Sequence, residues 1–216
     1  SVVGVINLDL ILNKKNCNVS KNSEPKLIIN NELQSFNANN ISFISGNQEI
    51  KLDISNSENG SNYNLIFNEV KLNSFTRKSS SIIFDGVLDG DVSFSKIDEV
   101  YSGDSSLTIS NLESNSQILG DAILKLSASE DSSEIEMDFK ITNNNNEELL
   151  NLFGNFSVED DYYPLDLTLK TNNFEINPFS KIGKDVISNF EGVFNSNISI
   201  SGNTKNPNFF GSIETS

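Results

Sequence analysis

The sequence has no histidine and no tryptophan, one cysteine, one methionine and four prolines. Without histidine, Ser-His and Cys-His nucleophiles and the usual zinc sites are excluded, leaving acid-base work to carboxylates or lysine. Cys17 cannot form an internal disulfide, so cysteine content does not fix the redox compartment. The missing tryptophan counts against a carbohydrate-binding β-sandwich with exposed aromatic platforms. No apolar run nears the ~20 residues a membrane-spanning helix needs, and no Gly-rich phosphate loop is present. Basic residues are scarce: 15 Lys and Arg stand against 30 Asp and Glu, a formal charge of -15. With no basic cluster, nucleic acid is excluded as a partner and an anionic headgroup surface repels the chain.

What remains is strand-forming sequence. The 216 residues are 36% hydrophobic, with 15 Phe and abundant Asn and Ser, enough for one large all-β domain or about two long repeats. Strict apolar/polar alternation marks strands at Ile6, Leu8, Leu10 and Leu12; at Ile50, Leu52 and Ile54; at Ile135, Met137, Phe139 and Ile141; and at Leu165, Leu167 and Leu169. Shorter alternations include Val70/Leu72, Val92/Phe94, Ala122/Leu124/Leu126, Phe174/Ile176 and Ile198/Ile200. Links such as Asn56-Ser57-Glu58-Asn59-Gly60 and the run Asn143 to Asn146 carry turn chemistry. The expected fold is a meander of antiparallel strands, each with one apolar face and one wet face. The acidity reads as a solvated outer face that keeps strand-rich molecules apart.

The chain also repeats itself. Phe84-Asp85-Gly86-Val87-Leu88-Asp89-Gly90-Asp91-Val92-Ser93-Phe94-Ser95 returns 106 residues later as Phe190-Glu191-Gly192-Val193-Phe194-Asn195-Ser196-Asn197-Ile198-Ser199-Ile200-Ser201. Upstream, Leu72 and Phe75 match Ile176 and Phe179 at an offset of 104, so two residues are inserted before the second core. Fixed-period self-similarity signals a stacked array. Each unit reads as strands, an apolar link, a Gly turn and a further strand. Helical spacing occurs once: after Asn177 and Pro178, residues Phe179, Ile182, Val186, Ile187 and Phe190 share a face, predicting a short helix over the end of the apolar layer.

Two motifs invite chemistry and fail their templates. Ser23-Glu24-Pro25-Lys26 fits a bare Ser-x-x-Lys pattern without its companion motifs. Asp85, Asp89 and Asp91 invite a calcium loop, but Val87 and Lys96 stand where ligands belong, so these aspartates, like Asp160 and Asp161, read as polar turn residues. No catalytic, metal or cofactor site is expected, and the chain reads as a non-enzyme.

Five motifs, Asn111 to Asp121, Pro178-Phe179, Ile187 to Gly192, Asn197 to Gly202 and Lys205-Asn206-Pro207-Asn208-Phe209-Phe210-Gly211, resemble the repeat of the TamB family. That family comprises inner-membrane-anchored periplasmic proteins of the translocation and assembly module, related to AsmA-like bridge proteins. The likeness covers roughly residues 63 to 216; Asn203-Thr204 departs from its Ser-Gly-Thr, and Lys96 replaces the Gly202 position in the first copy. It implies an elongated, half-open "β-taco" whose concave face is apolar. It also implies a function: one section of a periplasmic groove carrying phospholipid acyl chains between inner and outer membrane, with an outer-membrane barrel partner. The structural alternative is an adhesive cell-surface β-solenoid stalk with a filled core. Residues 1-62 then form a strand-rich N-terminal portion, 63-168 the first long repeat and 169-216 the start of a second, in one continuous domain. Both ends are expected to be interior to a longer chain. The expected groove lining is Val92, Phe94, Leu124, Leu126, Met137, Phe139, Leu165, Leu167, Leu169, Ile198 and Ile200.

Overall fold

Alternating apolar and polar residues suit a strand because successive side chains leave opposite faces of a pleated backbone. The computed structural model describes residues 2–3, 9–12, 15–19, 26–29, 36–57, 59–75, 82–98, 100–128, 134–157, 165–179 and 192–215, and strands occupy most of them. In chain order these are β1 (Val2–Val3), β2 (Asp9–Leu12), β3 (Lys15–Val19), β4 (Lys26–Ile29), β5 (Phe36–Ser45), β6 (Gln48–Ser57), β7 (Gly60–Lys71) and β8 (Phe84–Ile97). They continue as β9 (Val100–Ser114), β10 (Gln117–Ala128), β11 (Glu134–Thr142), β12 (Glu148–Ser157), β13 (Leu165–Glu175), β14 (Val193–Asn203) and β15 (Asn206–Thr215). From β5 to β15 every strand pairs antiparallel with the next, giving eleven strands in one open meander. At the first margin β5 pairs with both β3 and β4. Among the described residues no helix is long and apolar enough to cross a membrane.

The strands do not run straight, because four of them carry the same interruption. In β5, β7, β9 and β13 one extra residue stands between two apolar or ladder positions: Ala38 and Ile41, Phe67 and Val70, Ile109 and Leu112, and Thr171 and Phe174 each span three residues where the partner strand spans two. Each bulge puts one residue in the left-handed region: Asn40 at φ 53°, Glu69 at 50°, Asn111 at 52° and Asn173 at 48°. Its freed N–H is taken by a side chain of the next strand. Asn40 donates to Asp53 Oδ1 at 2.7 Å, Glu69 to Asp89 Oδ1 at 2.7 Å, Asn111 to Asp121 Oδ1 at 2.8 Å and Asn173 to Asn195 Oδ1 at 2.8 Å. The residue after each bulge is buried: Ile41, Val70, Leu112 and Phe174.

This unit is what the duplicated sequence encodes. Glu69 and Asn173 stand 104 apart and both form the bulge, while Asp89 and Asn195 stand 106 apart and both cap it. Both copies then pass into a single 3-10 turn, Leu72–Ser74 and Asn177–Phe179, closed by Phe75 N–H to the Leu72 carbonyl and Phe179 N–H to the Ile176 carbonyl. Of the helix predicted after Pro178, the described part is this turn, and residues 180–190 lie outside the described residues.

The sheet curls tightly at its bulged end. Buried Ser114 donates its hydroxyl to the Pro178 carbonyl at 3.3 Å, and Asn115 Nδ2 donates to the same oxygen at 2.7 Å. In a flat sheet β9 and β13 would lie about 19 Å apart, and three residues beyond β13 reach roughly 10 Å. Curvature of the strands must close the difference. It gathers the largest core cluster, Leu112, Leu119, Ala122, Ile141, Phe174 and Ile176, with Leu72, Phe84, Phe179 and Phe194 packed around it.

Three expectations need correction. Val70/Leu72 and Phe174/Ile176 are not separate strands: Val70 and Phe174 continue β7 and β13 past their bulges, and Leu72 opens a 3-10 turn. In the first copy of the repeat the Gly turn is no turn, since Gly86 and Gly90 sit inside β8 with φ near +130°, whereas its counterpart Gly192 forms a bend just before β14. Asp85, Asp89 and Asp91 are likewise strand residues: Asp85 accepts Asn73 Nδ2 at 2.8 Å and Asp89 caps a bulge. Ile6, Leu8, Ser23 to Pro25, Asp160 and Asp161 lie outside the described residues.

Candidate functional site

Register decides which alternations share a face, and it brings the apolar ones together. From β5 to β15 the cross-strand partners form three unbroken rows. The first runs Ala38, Ile54, Tyr63, Phe94, Gly103, Ala128, Ile135, Phe156, Leu165, Gly202, Pro207. The second runs Ile41, Leu52, Leu65, Val92, Ser105, Leu126, Met137, Gly154, Leu167, Ile200, Phe209, and the third Phe43, Ile50, Phe67, Gly90, Leu107, Leu124, Phe139, Leu152, Leu169, Ile198, Gly211. None of these positions is charged. The only hydroxyls are those of Tyr63 and Ser105, and Ser105 donates its own to the Asp91 carbonyl at 3.1 Å. At ~4.8 Å per strand the apolar strip is about 48 Å long.

All eleven residues expected to line a groove fall in these rows. Ten are half-buried, neither packed away nor fully wet, and Leu167 alone is buried at 8% exposure. Their chain neighbours Ser93, Ile123, Lys125, Asp166, Asn197 and Ser199 are exposed on the opposite face. The reading of single strands missed Leu65, Phe67, Leu107 and Leu152 as members of the same strip, although their alternation was visible. What it lacked was the pairing partner.

Glycines shape the strip by pairing with large apolar side chains. Gly90 lies between Phe67 and Leu107, Gly154 between Met137 and Leu167, and Gly103 beside Phe94. At Gly154 (φ +136°) an added Cβ would stand 2.2 Å from the Asp166 carbonyl oxygen. Only glycine lets the neighbouring backbone come so close.

No family model, curated protein or solved structure matches the chain. Its own geometry therefore carries the functional argument.

The opposite face is polar and acidic. One row across it reads Asp53, Asn64, Ser93, Asp104, Ser127, Glu136, Asn155, Asp166, Ser201, Asn208, with four carboxylates and no cation. Such a face keeps an open sheet soluble and unpaired on that side. Among the described residues no group of three or more His, Cys, Asp or Glu could hold a metal ion.

Glu49 is the titrating feature of this surface. Ser42 donates its hydroxyl to Glu49 Oε1 at 2.6 Å, Asn68 Nδ2 donates to Oε2 at 2.9 Å, and Lys51 Nζ lies 3.4 Å away. The Ser42 bond does most to hold the carboxyl below its ordinary value; burial opposes it, and Asn68 and Lys51 add to the lowering. A carboxylate lowered by folding stabilises the fold above its unfolded-state value, about 4.3, and that contribution vanishes as pH falls through the folded value. Wild-type stability is thus expected to fall more steeply than that of Glu49→Gln as pH drops below about 4, in urea melts at stepped pH. Parallel curves would remove Glu49 from the acid response.

Proposed function

We propose that this chain is one section of an apolar trough that shelters acyl chains while they cross an aqueous gap. The observation that supports it is the strip itself: three adjacent rows across eleven strands without a charge, in which ten of the eleven expected lining residues are half-buried where a packed core would be dry. An acyl chain in water exposes methylenes at about 0.8 kcal/mol each, so a sixteen-carbon tail carries about 12 kcal/mol that such a lining removes. A formal charge of -15 and the acidic outer row rule against adhesion to anionic headgroups, so the affinity is for tails.

The resemblance to the TamB family extends this reading to a place and a partner. The section would belong to a periplasmic protein anchored in the inner membrane, passing phospholipid toward the outer membrane beside a barrel of the assembly module. The filled stalk has the dry clusters in its favour, the largest around Leu112, Ile141 and Phe174 and two smaller ones around Ile41 and Ile54 and around Ile50, Val70 and Leu88. The largest sits at the bulged end of the same face, and the smaller ones around Ile41 and Ile50 lie within the rows at β5 and β6, while most of the row positions from β8 to β14 are half-buried.

Native mass spectrometry of the purified protein is expected to show bound phospholipid, with photocrosslinkers at Phe94 and Phe139 capturing it. Leu124→Asp, at a half-buried position facing Leu107 and Phe139, should abolish capture while the far-UV β signal stays. Absence of lipid, with both positions crosslinking only within the chain, would sink the trough and favour the stalk.

A further inference from the structure

Among the described residues of β6 to β9, one charged side chain faces the same way as the apolar strip. Two residues beyond the first row the cross-strand partners are Asn56, Ser61, Lys96 and Tyr101, one from each strand. Positions two apart on a strand share a face, so these four stand on the side of the first row and border it. All four are half-buried. Ser61 donates its hydroxyl to Asn56 Oδ1, and the Lys96 ammonium lies 5.2 Å from the centre of the Tyr101 ring. Lys96 is also where the first copy of the repeat departs from the second, which has Gly202.

The arrangement has the polarity of an amphiphile. Along β8 the face runs from Gly90 through Val92 and Phe94, all uncharged, and ends in Lys96 about 7 Å past Phe94. A lysine stem continues apolar surface while its charged end reaches the wet margin. The Tyr101 ring steadies that end, which carries three N–H donors. The polar row spans about 14 Å across four strands, room for a glycerophosphate head and more than a carboxylate needs.

We propose that Lys96 takes the phosphate of a phosphate-headed acyl lipid whose tail lies on the strip, beginning at Phe94. This rests on the trough reading and adds to it the class of head that the trough accepts. One lysine does not draw a chain of net charge -15 onto an anionic membrane, because its field is screened within about 10 Å. It acts on a single head once the tail is seated.

The test uses the whole chain, freed of lipid and offered an equimolar mixture of dioleoylphosphatidylglycerol and dioleoylglycerol in detergent, with loading read by native mass spectrometry. The two lipids share their tails, and only the first has a phosphate. Lys96→Met keeps the stem and removes the charge. It is expected to lower the ratio of phosphatidylglycerol to diacylglycerol loaded about tenfold from the wild-type value, with diacylglycerol loading unchanged. Lys96→Arg keeps the charge and should hold the wild-type ratio. Inorganic phosphate in millimolar excess should leave that ratio as it is; a collapse would assign the site to a free anion and overturn the lipid head. Equal ratios in wild type and Lys96→Met, with diacylglycerol still loaded, would overturn the head contact and leave the trough standing. A wild type that loads neither lipid would remove the trough, and the head contact with it.

Discussion

Gly154→Ala is expected to cost at least about 3 kcal/mol, lowering the melting temperature by roughly 6–12 °C for a chain of this size. The added methyl would meet the Asp166 carbonyl oxygen at 2.2 Å and Leu167 Cα at 3.0 Å, both backbone atoms of β13. Neither can retreat without opening the β12–β13 ladder, and at φ +136° an L-residue is strained even in empty space. Ser199→Ala, exposed on the outer face, should stay within about 0.5 kcal/mol as the control. A loss under 1 kcal/mol for Gly154→Ala in urea melts would mean that β12 and β13 do not approach as closely as the ladder requires.

Phe174→Ala is expected to be nearly as costly, about 3–5 kcal/mol. Phe174 is 7% exposed, packs with Leu112 and Ile141 and stacks on Phe179 with ring centroids 6.0 Å apart. Its loss should also speed hydrogen exchange at the Phe179 amide, which closes the turn that Phe174 supports by donating to the Ile176 carbonyl at 2.8 Å. Phe94→Ala, half-buried in the first row and outside that cluster, should cost about 2 kcal/mol or less. The contrast separates packed core from lining. Equal losses at Phe174 and Phe94 would make the whole face one core and remove the basis for a trough.

Much of this architecture was legible from alternation. Ile135 to Ile141 and Leu165 to Leu169 announce their strands, and all the groove candidates chosen from them fall on one face. What alternation hides is any place where the period of two is deliberately broken. Val70 and Phe174 were read as new strands because a bulge shifts the period by one residue, and only the opposing strand reveals that the chain has not stopped. Gly86, Gly90, Asp85 and Asp89 were read as turns for a related reason. Positive φ and side-chain caps are turn chemistry locally, and the same devices bend a strand when a neighbour is present to receive them. The core residues Leu112 and Leu119 escaped notice because they flank a hairpin and become central only when the sheet curls toward β13.

The bulge has a consequence for how such a protein can change over generations. Its bend is specified inside each pair of neighbouring strands, by one left-handed residue and one Asp or Asn across from it. A gene segment encoding one such pair can be copied or lost in frame, and the product gains or loses about 10 Å of span while keeping its cross-section. The offset between the two copies drifts from 104 to 106, and both the bulge and its cap are present on either side of that change. Span is thus a quantity that selection can adjust by counting.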